Sequence, residues 1–324
     1  MTASQAMSAQ LTEQDDSITD DLSEILGGLC QPEKVLSPKF FYDEHGSRLF
    51  EQICELDEYY PTRTELSIMS RHVDEIAALV GPRASVIEFG SGASQKTRIL
   101  LERLQKPAVY VPVDISRDHL VSVASELAAE YPHIEILPVA ADFTQPFPLP
   151  NPEIMPLRNL VYFPGSTIGN FEPAAAADLL QVMHHEAGEN GALLIGVDLQ
   201  KDPEVLIRAY NDSQGVTARF NLNVLNRINR DFGADFEVDA FRHQAIYNDD
   251  LGRIEMRLIS QKIQSVNIAG QVFRFEADEF ITTEYSHKYT QPQFERMAEA
   301  AGFTVEKTWT DEQQWFSVQY CTRL

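Results

Sequence analysis

The chain has 324 residues, and 26 lysines and arginines against 49 aspartates and glutamates give it a formal net charge of −23. Such an acidic chain, in which we find no basic patch, is not expected to bind nucleic acid or an anionic membrane. Three widely separated cysteines, no signal-peptide pattern and no apolar run of membrane-spanning length favour a cytoplasmic protein, which we expect to be a monomer. The length predicts two domains, or one domain with a large insertion.

The N-terminal part is acidic at first and then rich in aromatic residues. Met1–Glu24 holds six acidic residues and no lysine or arginine, and we expect a helix from about Ser17. The aromatic segments that follow are Lys39–Gly46, Leu49–Ile53 and Glu58–Glu65. Pro61 disfavours helix at the residue before it, so we expect an extended step at Tyr60 and a helix capped by Thr64.

A glycine turn follows the first buried strand, where Glu88-Phe89-Gly90-Ser91-Gly92 precedes a helix-like run. Such a turn lets the backbone approach a nucleotide-like cofactor closely. Gln95 stands where a dinucleotide fingerprint needs its third glycine, and where a phosphate-binding loop needs the glycine before its lysine. An acidic residue followed by G-x-G is instead typical of methyltransferases that use S-adenosylmethionine, although a single G-x-G also occurs for packing alone.

Strands and helices alternate from Glu65 to Leu199, which predicts a parallel sheet with helices on both faces. The strands after the glycine turn are expected at Ala108–Val113, Ile134–Ala140, Leu160–Phe163 and Ala192–Val197. Two of these strands are followed by an acidic residue, the first by Asp114 and the second by Asp142. Phe143 comes directly after Asp142. Because ligands of such sheets bind at the carboxyl ends of strands, Asp114 is placed for ribose hydroxyls, and Asp142 with Phe143 for a purine.

The pattern changes after Asp198. We expect a turn-rich segment over Asp202–Gly215, an amphipathic helix over Thr217–Arg230, and then an antiparallel meander from Phe241 to Ser286. A helix over Gln291–Gly302 and two last strands return to the parallel sheet as an antiparallel pair. We therefore predict a substrate-binding domain of residues 12–63 and 201–287, and a cofactor-binding domain of residues 64–200 and 288–324.

Several blocks together resemble the bacterial L-histidine N-alpha-methyltransferases of ergothioneine biosynthesis over essentially the whole chain. The blocks are Glu58–Glu65, Glu88–Thr97, Gly165–Asn170, Gly215–Ala218 with Asn221–Leu225, Arg253–Met256, and Thr283–Ser286 with Lys288. The resemblance implies a Rossmann-like class I methyltransferase of the α/β class with an inserted α+β substrate domain. It implies methylation of the α-amine of histidine by S-adenosylmethionine, successively to the trimethylated betaine hercynine, with no metal.

The same resemblance implies the roles of individual residues. The cofactor would be held by Gly90, Lys96, Asp114, Asp142 and Phe143. The small-molecule substrate, L-histidine, would be held by Tyr59, Asn170, Tyr210, Met256, Glu284, Tyr285 and Ser286, with Phe50 also lining the pocket, and Asn170, Tyr59 and Tyr210 would be the catalytic residues. Gln95 stands where relatives have glutamate, a departure that bears on cofactor affinity.

Three alternatives stay open at this point. Within the methyltransferases, the substrate could be another aromatic amino acid such as tryptophan. A nicotinamide- or ATP-using enzyme would require the phosphate motifs that Gln95 interrupts. A non-catalytic binding module would lack an intact set of cofactor residues, whereas Asp114 and Asp142 are both present. Met256 has a second interpretation as plain core, since Ile254, Met256 and Leu258 share one strand face.

Overall fold

The computed structural model describes residues 20–91 and 95–323, without the side chains of residues 118 and 119. The helices are α1 (20–29), α2 (Glu44–Glu55), α3 (Tyr60–Val80), α4 (Gln95–Arg103), α5 (Arg117–Glu130), α6 (Pro173–Ala187), α7 (Pro203–Tyr210), α8 (Val216–Phe232) and α9 (Gln291–Ala300). The strands are β1 (Lys34–Val35), β2 (Ala84–Phe89), β3 (Val109–Asp114), β4 (Glu135–Ile136), β5 (Val139–Ala140), β6 (Arg158–Phe163), β7 (Ala192–Asp198), β8 (Phe241–Asn248), β9 (Arg253–Ser260), β10 (Gln264–Ile268), β11 (Gln271–Phe275), β12 (Phe280–His287), β13 (Phe303–Thr310) and β14 (Phe316–Arg323).

The chain forms two compact units. Unit 1 consists of the residues up to Tyr59 together with Asp202–Ser286, and unit 2 consists of Tyr60–Lys201 and His287–Leu324. The chain therefore passes between the units at three places. Among the described residues, no helix is long and apolar enough to cross a membrane.

Unit 2 is built on a sheet of strand order β13-β14-β7-β6-β2-β3-β4, with β5 also paired to β3. Strands β7, β6, β2, β3, β4 and β5 are parallel, and β14 and β13 close the edge as an antiparallel pair. Every residue of β2 and of β7 is buried, as expected for central strands covered on both faces. Helices α3, α4 and α5 cover one face of the sheet, and α6 and α9 cover the other. The predicted Rossmann-like α/β fold is confirmed.

Unit 1 combines helices with two small sheets. The larger sheet has the order β1-β12-β9-β8, and α8 packs on α2, β8 and β9. The prediction of one antiparallel meander was wrong, because β10 and β11 form a two-stranded sheet of their own and β12 lies beside β9. The N-terminal strand β1 then pairs with β12 in parallel, with Lys34 opposite Ile281. Strand pairing of this kind depends on tertiary neighbours, which alternation along the sequence does not identify.

Three local predictions were also wrong. Helix α3 begins at Tyr60 instead of after Thr64, because Pro61 in a first turn lacks only an N–H that would have no helical partner. The segment after Asp202 is helical over Pro203–Tyr210, where the Asp202 side chain accepts from the backbone N–H of Glu204 at 2.9 Å. The third strand is split into β4 and β5, since Pro138 between them offers no N–H to the ladder.

Candidate active site

The glycine turn of unit 2 lies at the carboxyl end of β2. Gly90 has a φ of 72°, and its N–H donates to the carbonyl of Val113 on β3 at 2.9 Å. A Cβ at Gly90 would lie 3.6 Å from the ring of Phe143. A glycine is therefore favoured here by its backbone conformation, and the structure brings Gly90 and Phe143 together. Gly92 of the same motif lies outside the described residues.

Glu88, the acidic residue of the motif, is buried within the turn. Its carboxylate accepts hydrogen bonds from Thr97 Oγ1 at 2.8 Å and from the Tyr110 hydroxyl at 2.6 Å. Burial raises the pKa of Glu88 to about 7, although both hydrogen bonds act in the opposite direction. Glu88 therefore ties β2 to β3 and to the helix that follows the turn.

Asp114 and Asp142 lie at neighbouring strand ends, because Asp114 is paired with Ala140 where β3 meets β5. Asp114 Oδ1 accepts from the N–H of Ser116 at 2.8 Å, and Asp142 Oδ1 accepts from the N–H of Thr144 at 2.9 Å. These turns hold both carboxylates at the same edge of the sheet as Gly90. Phe143 follows, with its ring centroid 5.5 Å from that of Phe89 and 5.9 Å from that of Phe163.

Lys96 is held by a buried carboxylate that the sequence analysis did not single out. Lys96 Nζ lies 2.5 Å from Glu65 Oε2, and the Gly165 N–H donates to the same oxygen at 2.9 Å. Glu65 is 1% exposed, and a Cβ at Gly196 would lie 2.2 Å from its Oε1. The ion pair therefore fits only because β7 has glycine at that position. The acidic residue that closes the Glu58–Glu65 block was the available signal.

Asn170 ends a short 3-10 turn, Thr167–Asn170, that follows β6. The turn is reached through two residues of positive φ, Gly165 at 81° and Ser166 at 57°. At Gly169 the backbone approaches His287 so closely that a Cβ would lie 2.6 Å from the His287 carbonyl oxygen. Since β6 is the neighbour of β2, Asn170 belongs to the sheet edge that carries Gly90 and Asp114.

In unit 1, two predicted phenols belong to a cluster of aromatic side chains. The ring centroids of Tyr59 and Tyr210 are 6.1 Å apart, and those of Tyr59 and Phe50 are 6.3 Å apart. Phe50 in turn contacts Tyr42 at 5.8 Å and Phe220 at 6.0 Å. Tyr42 and Phe220 were not among the predicted site residues, although Tyr42 lies in an aromatic segment and Phe220 on the apolar side of a predicted helix.

Strand β12 brings polar groups to this aromatic cluster. The Tyr210 hydroxyl and Ser286 Oγ are 2.9 Å apart. Burial, and then the charges of neighbouring groups that include Glu284, raises the pKa of Tyr59. Ser286 therefore contacts Tyr210, and Glu284, two residues earlier on β12, lies on the same side of the strand. Tyr285, between them, has its ring centroid 3.8 Å from the guanidinium carbon of Arg253.

Met256 lies in the interior of β9 and is 2% exposed. Its carbonyl oxygen lies 3.2 Å from Thr283 Oγ1, which places β9 beside the residue before Glu284. The structure thus places Met256 next to the backbone of the predicted substrate strand. Its burial fits both interpretations of this residue, as core and as pocket wall.

Unit 2 also contains a buried charged cluster that the sequence analysis missed. Asp198 accepts from the Tyr60 hydroxyl at 2.7 Å, and its carboxylate lies 2.5 Å from Lys201 Nζ and 2.8 Å from Lys288 Nζ. All four side chains are almost completely buried. An aspartate at the end of β7 and Lys201 three positions later were visible signals, but Tyr60 and Lys288 come from distant parts of the chain. Within the described residues, no group of three or more His, Cys, Asp or Glu could hold a metal ion.

The family model described as histidine-specific methyltransferase, SAM-dependent, matches residues 21–323 of the chain. A histidine N-alpha-methyltransferase of Mycolicibacterium smegmatis is 40% identical over 306 residues, which cover 93% of this chain and 94% of that protein. An ergothioneine biosynthesis protein 1 of Neurospora crassa is 31% identical over 284 residues, covering 86% of this chain and 32% of its own length. The solved structure of a possible exported protein from Bordetella parapertussis covers 100% of this chain and 99% of its own at a TM-score of 0.50. Its identity is 12%, so the likeness concerns the fold alone.

Proposed function

Because the chain belongs to the SAM-dependent, histidine-specific methyltransferases, we propose that it transfers methyl groups from S-adenosylmethionine to the α-amine of L-histidine. The reaction is a step of ergothioneine biosynthesis, and three successive transfers give hercynine. The observation that carries the assignment of histidine is the group of side chains on unit 1, where the hydroxyls of Tyr210 and Ser286 are 2.9 Å apart and Glu284 lies on the same side of β12 as Ser286. This group offers hydroxyl donors and a carboxylate to one small polar molecule.

The cofactor is assigned to the sheet edge of unit 2. The fit rests on the open backbone at Gly90, the ring of Phe143 beside it and two carboxylates at adjacent strand ends. Asp114 would accept hydrogen bonds from ribose hydroxyls, and Asp142 from an exocyclic amine. Lys96, paired with Glu65, would offer its remaining N–H groups to a carboxylate. When bound, S-adenosylmethionine supplies an electrophilic methyl group on a sulfonium.

The substrate is assigned to donors and acceptors that match the three polar groups of histidine. Tyr59 and Tyr210 would donate to its carboxylate, and the raised pKa of Tyr59 keeps that phenol protonated. Asn170 would orient the amine and carboxylate end. Glu284 and Ser286 would bind the two imidazole nitrogens, and the carboxylate would favour a protonated ring there.

The work of the protein in this reaction is mainly positioning. A neutral amine is already a good nucleophile, so the residues have to hold it in line with the methyl group and exclude water. Asn170, Tyr59 and Tyr210 carry this task in the proposal. Glu284 keeps the proton on the imidazole, which leaves the α-amine as the reacting nitrogen. We propose that the enzyme acts as a monomer, which light scattering at several concentrations would test, and its cytoplasmic location stays a prediction.

Glu284→Ala tests this assignment. We expect kcat/KM for histidine to fall by roughly 30- to 150-fold, equivalent to about 2 to 3 kcal/mol, since a charge-assisted hydrogen bond to the ring is lost. The affinity for S-adenosylhomocysteine, measured by calorimetry, should stay nearly unchanged. Glu237→Ala is the matched control, because Glu237 is an exposed glutamate of unit 1 that pairs with Lys262.

A calorimetric panel of amino acids in the presence of S-adenosylhomocysteine completes the test. The parent enzyme should bind histidine in preference to tryptophan. Equal binding of tryptophan, or an unchanged histidine kcat/KM in the Glu284→Ala variant, would contradict the proposed recognition of the ring.

A further inference from the structure

His243, on β8 of unit 1, lies between two hydrogen-bond partners whose chemistry fixes its protonation. Its Nε2 lies 2.8 Å from the backbone carbonyl oxygen of Tyr210, which can only accept. Its Nδ1 lies 2.8 Å from Asn221 Nδ2, which can only donate. The geometry therefore requires a neutral imidazole with its hydrogen on Nε2.

The orientation of the Asn221 amide is set by other partners. Its Oδ1 accepts from Thr283 Oγ1 at 2.7 Å, and its Nδ2 also donates to the Arg257 carbonyl at 3.2 Å. Asn221 is 0% exposed and Thr283 is 1% exposed, so turning the amide round would leave buried groups without hydrogen bonds. The bonds to Thr283 on β12 and to Arg257 thus fix the amide so that its nitrogen faces His243.

This chain of bonds connects two parts of the proposed histidine site. It begins at the backbone of Tyr210, the last residue of α7, and ends at Thr283, which directly precedes Glu284 on β12. The neighbouring Asn211 anchors α7 to β8 a second time, through two hydrogen bonds of 2.9 Å to the backbone of Ala245. Within this chain of bonds, His243 is the member that titrates near neutral pH.

We propose that neutral His243 is a positioning residue that holds Tyr210 and the Glu284 strand in one fixed arrangement for histidine. Protonation puts a hydrogen on Nδ1 against the amide hydrogens of Asn221, and the connection to β12 is lost. Histidine binding then weakens, while the cofactor residues of unit 2 take no part in the network. The inference rests on the proposed function, because it concerns the same substrate site.

Burial and the neighbouring groups act on the pKa of His243 in opposite directions, and burial has the larger effect. Burial lowers the pKa of His243, whereas the bond to the Tyr210 carbonyl and the charge of Asp212 favour the protonated form. Asp212 is itself engaged at the start of α8, where it accepts from the N–H groups of Val216 and Thr217. Arg257 faces the network with its carbonyl, since its guanidinium pairs with Glu255 at 2.6 Å. The balance keeps the ring neutral at physiological pH.

The first test measures the protonation and the tautomer of the His243 ring. Long-range proton–nitrogen NMR of the parent enzyme should show one histidine as a neutral Nε2–H tautomer that stays neutral below the ordinary pKa of about 6.5. The signal is assigned by its loss in His243→Gln. In Asn221→Asp, whose carboxylate accepts from Nδ1, the same ring should stay protonated to higher pH. An Nδ1–H tautomer, or a ring that is protonated at pH 7 in the parent, overturns the proposal.

The second test separates positioning from a general loss of stability. His243→Gln should raise KM for histidine by roughly tenfold, the scale expected of a small misplacement, and should lower kcat to a smaller extent, with the Kd of S-adenosylhomocysteine changed less than about twofold. The ratio of variant KM to parent KM should become smaller at low pH, because protonated His243 no longer connects Tyr210 to β12 in the parent. Protonation of the substrate affects both enzymes equally and therefore does not change this ratio. His185→Gln, at an exposed histidine of α6, is the matched control.

The two variants distinguish a failure of the positioning role of His243 from a failure of the proposed function. If Glu284→Ala weakens histidine use while His243→Gln changes neither KM nor its pH dependence, the positioning role is refuted and the histidine site stands. If Glu284→Ala also has no effect, the proposed recognition of histidine has failed as well. An equal loss of cofactor affinity in His243→Gln would indicate a structural role and would overturn the proposal.

Discussion

Asp198→Asn should destabilise unit 2 by about 3 to 5 kcal/mol, the usual cost of removing one partner from a buried ion pair. The carboxylate accepts from the hydroxyl of Tyr60 and pairs with Lys201 and Lys288. The exposed fractions of the three charged side chains are 1% for Asp198, 4% for Lys201 and 1% for Lys288. One negative and two positive charges give −1 + 2 = +1, and asparagine would leave +2 in the same volume.

The cluster also predicts how this loss depends on pH. Burial, with the charge of Lys288, lowers the pKa of Lys201 to about 8, although Asp198 opposes the shift. Because the ordinary value is 10.5, the folded state binds fewer protons than the unfolded state between about pH 8 and 10.5, and this lysine destabilises the fold most below that window. Without Asp198 the pKa should fall further, so part of the loss should be relieved as the pH rises from 6 to 9.

Urea unfolding followed by tryptophan fluorescence measures the effect on unit 2. The two tryptophans, Trp309 and Trp315, both belong to that unit, and the ring of Trp315 lies 5.3 Å from that of Tyr60. Asp178→Asn, at an exposed aspartate of α6, is the matched control. The reasoning would be refuted if Asp198→Asn lost less than about 0.5 kcal/mol, the range of ordinary surface changes.

A double variant tests the electrostatic origin of the loss. Adding Lys201→Met to Asp198→Asn returns the buried charge to +1 and should recover part of the lost stability. A double variant that is less stable by the sum of the two single losses would indicate that packing, and not charge, dominates. Each partner of Asp198 lies within two residues of a place where the chain passes between the units, so the cluster fixes the ends of unit 2.

Three further predictions concern the site. Asp114→Ala should weaken S-adenosylmethionine binding by roughly 1.5 to 3 kcal/mol in calorimetry, and unchanged affinity would show that Asp114 serves only its own turn. Glu88→Gln should raise the unfolding free energy at pH 8 by at most about 3 kcal/mol. The pKa of Glu88 is about 7 in the folded state against an ordinary 4.5, so the parent loses stability as the pH rises through this window. A stability difference between variant and parent that is the same at about pH 5 and at about pH 8 would contradict this prediction. Met256→Val added to Glu284→Ala should let tryptophan gain relative to histidine in a mass-spectrometric competition, because the carboxylate that penalises indole is gone; a parental preference would exclude these residues as the specificity pair.

Local sequence patterns were sufficient for the framework of unit 2. The apolar run that ends at Gly90 and the acidic residues Asp114 and Asp142 predicted the parallel strands and the edge at which their carboxyl ends meet. They could do so because strand, turn and helix preferences are set by residues close in sequence, and because ligands of such sheets bind at one edge. The helix over Pro203–Tyr210 was missed, although Asp202 and Pro203 form a usual helix start.

The partners of buried charges were decided only by the tertiary structure. Lys96 is 31 positions from Glu65, and Asp198 is bound by Tyr60 from the start of unit 2 and by Lys288 from its second segment. Period and composition place each of these residues on an element, but they do not say which elements become neighbours. The same holds for β12, whose alternation predicts a strand but not its place between β1 and β9. The sequence alone determined the elements and the chemistry at their ends, whereas long-range packing decided which charges are buried together, because burial forces each of them to find a partner.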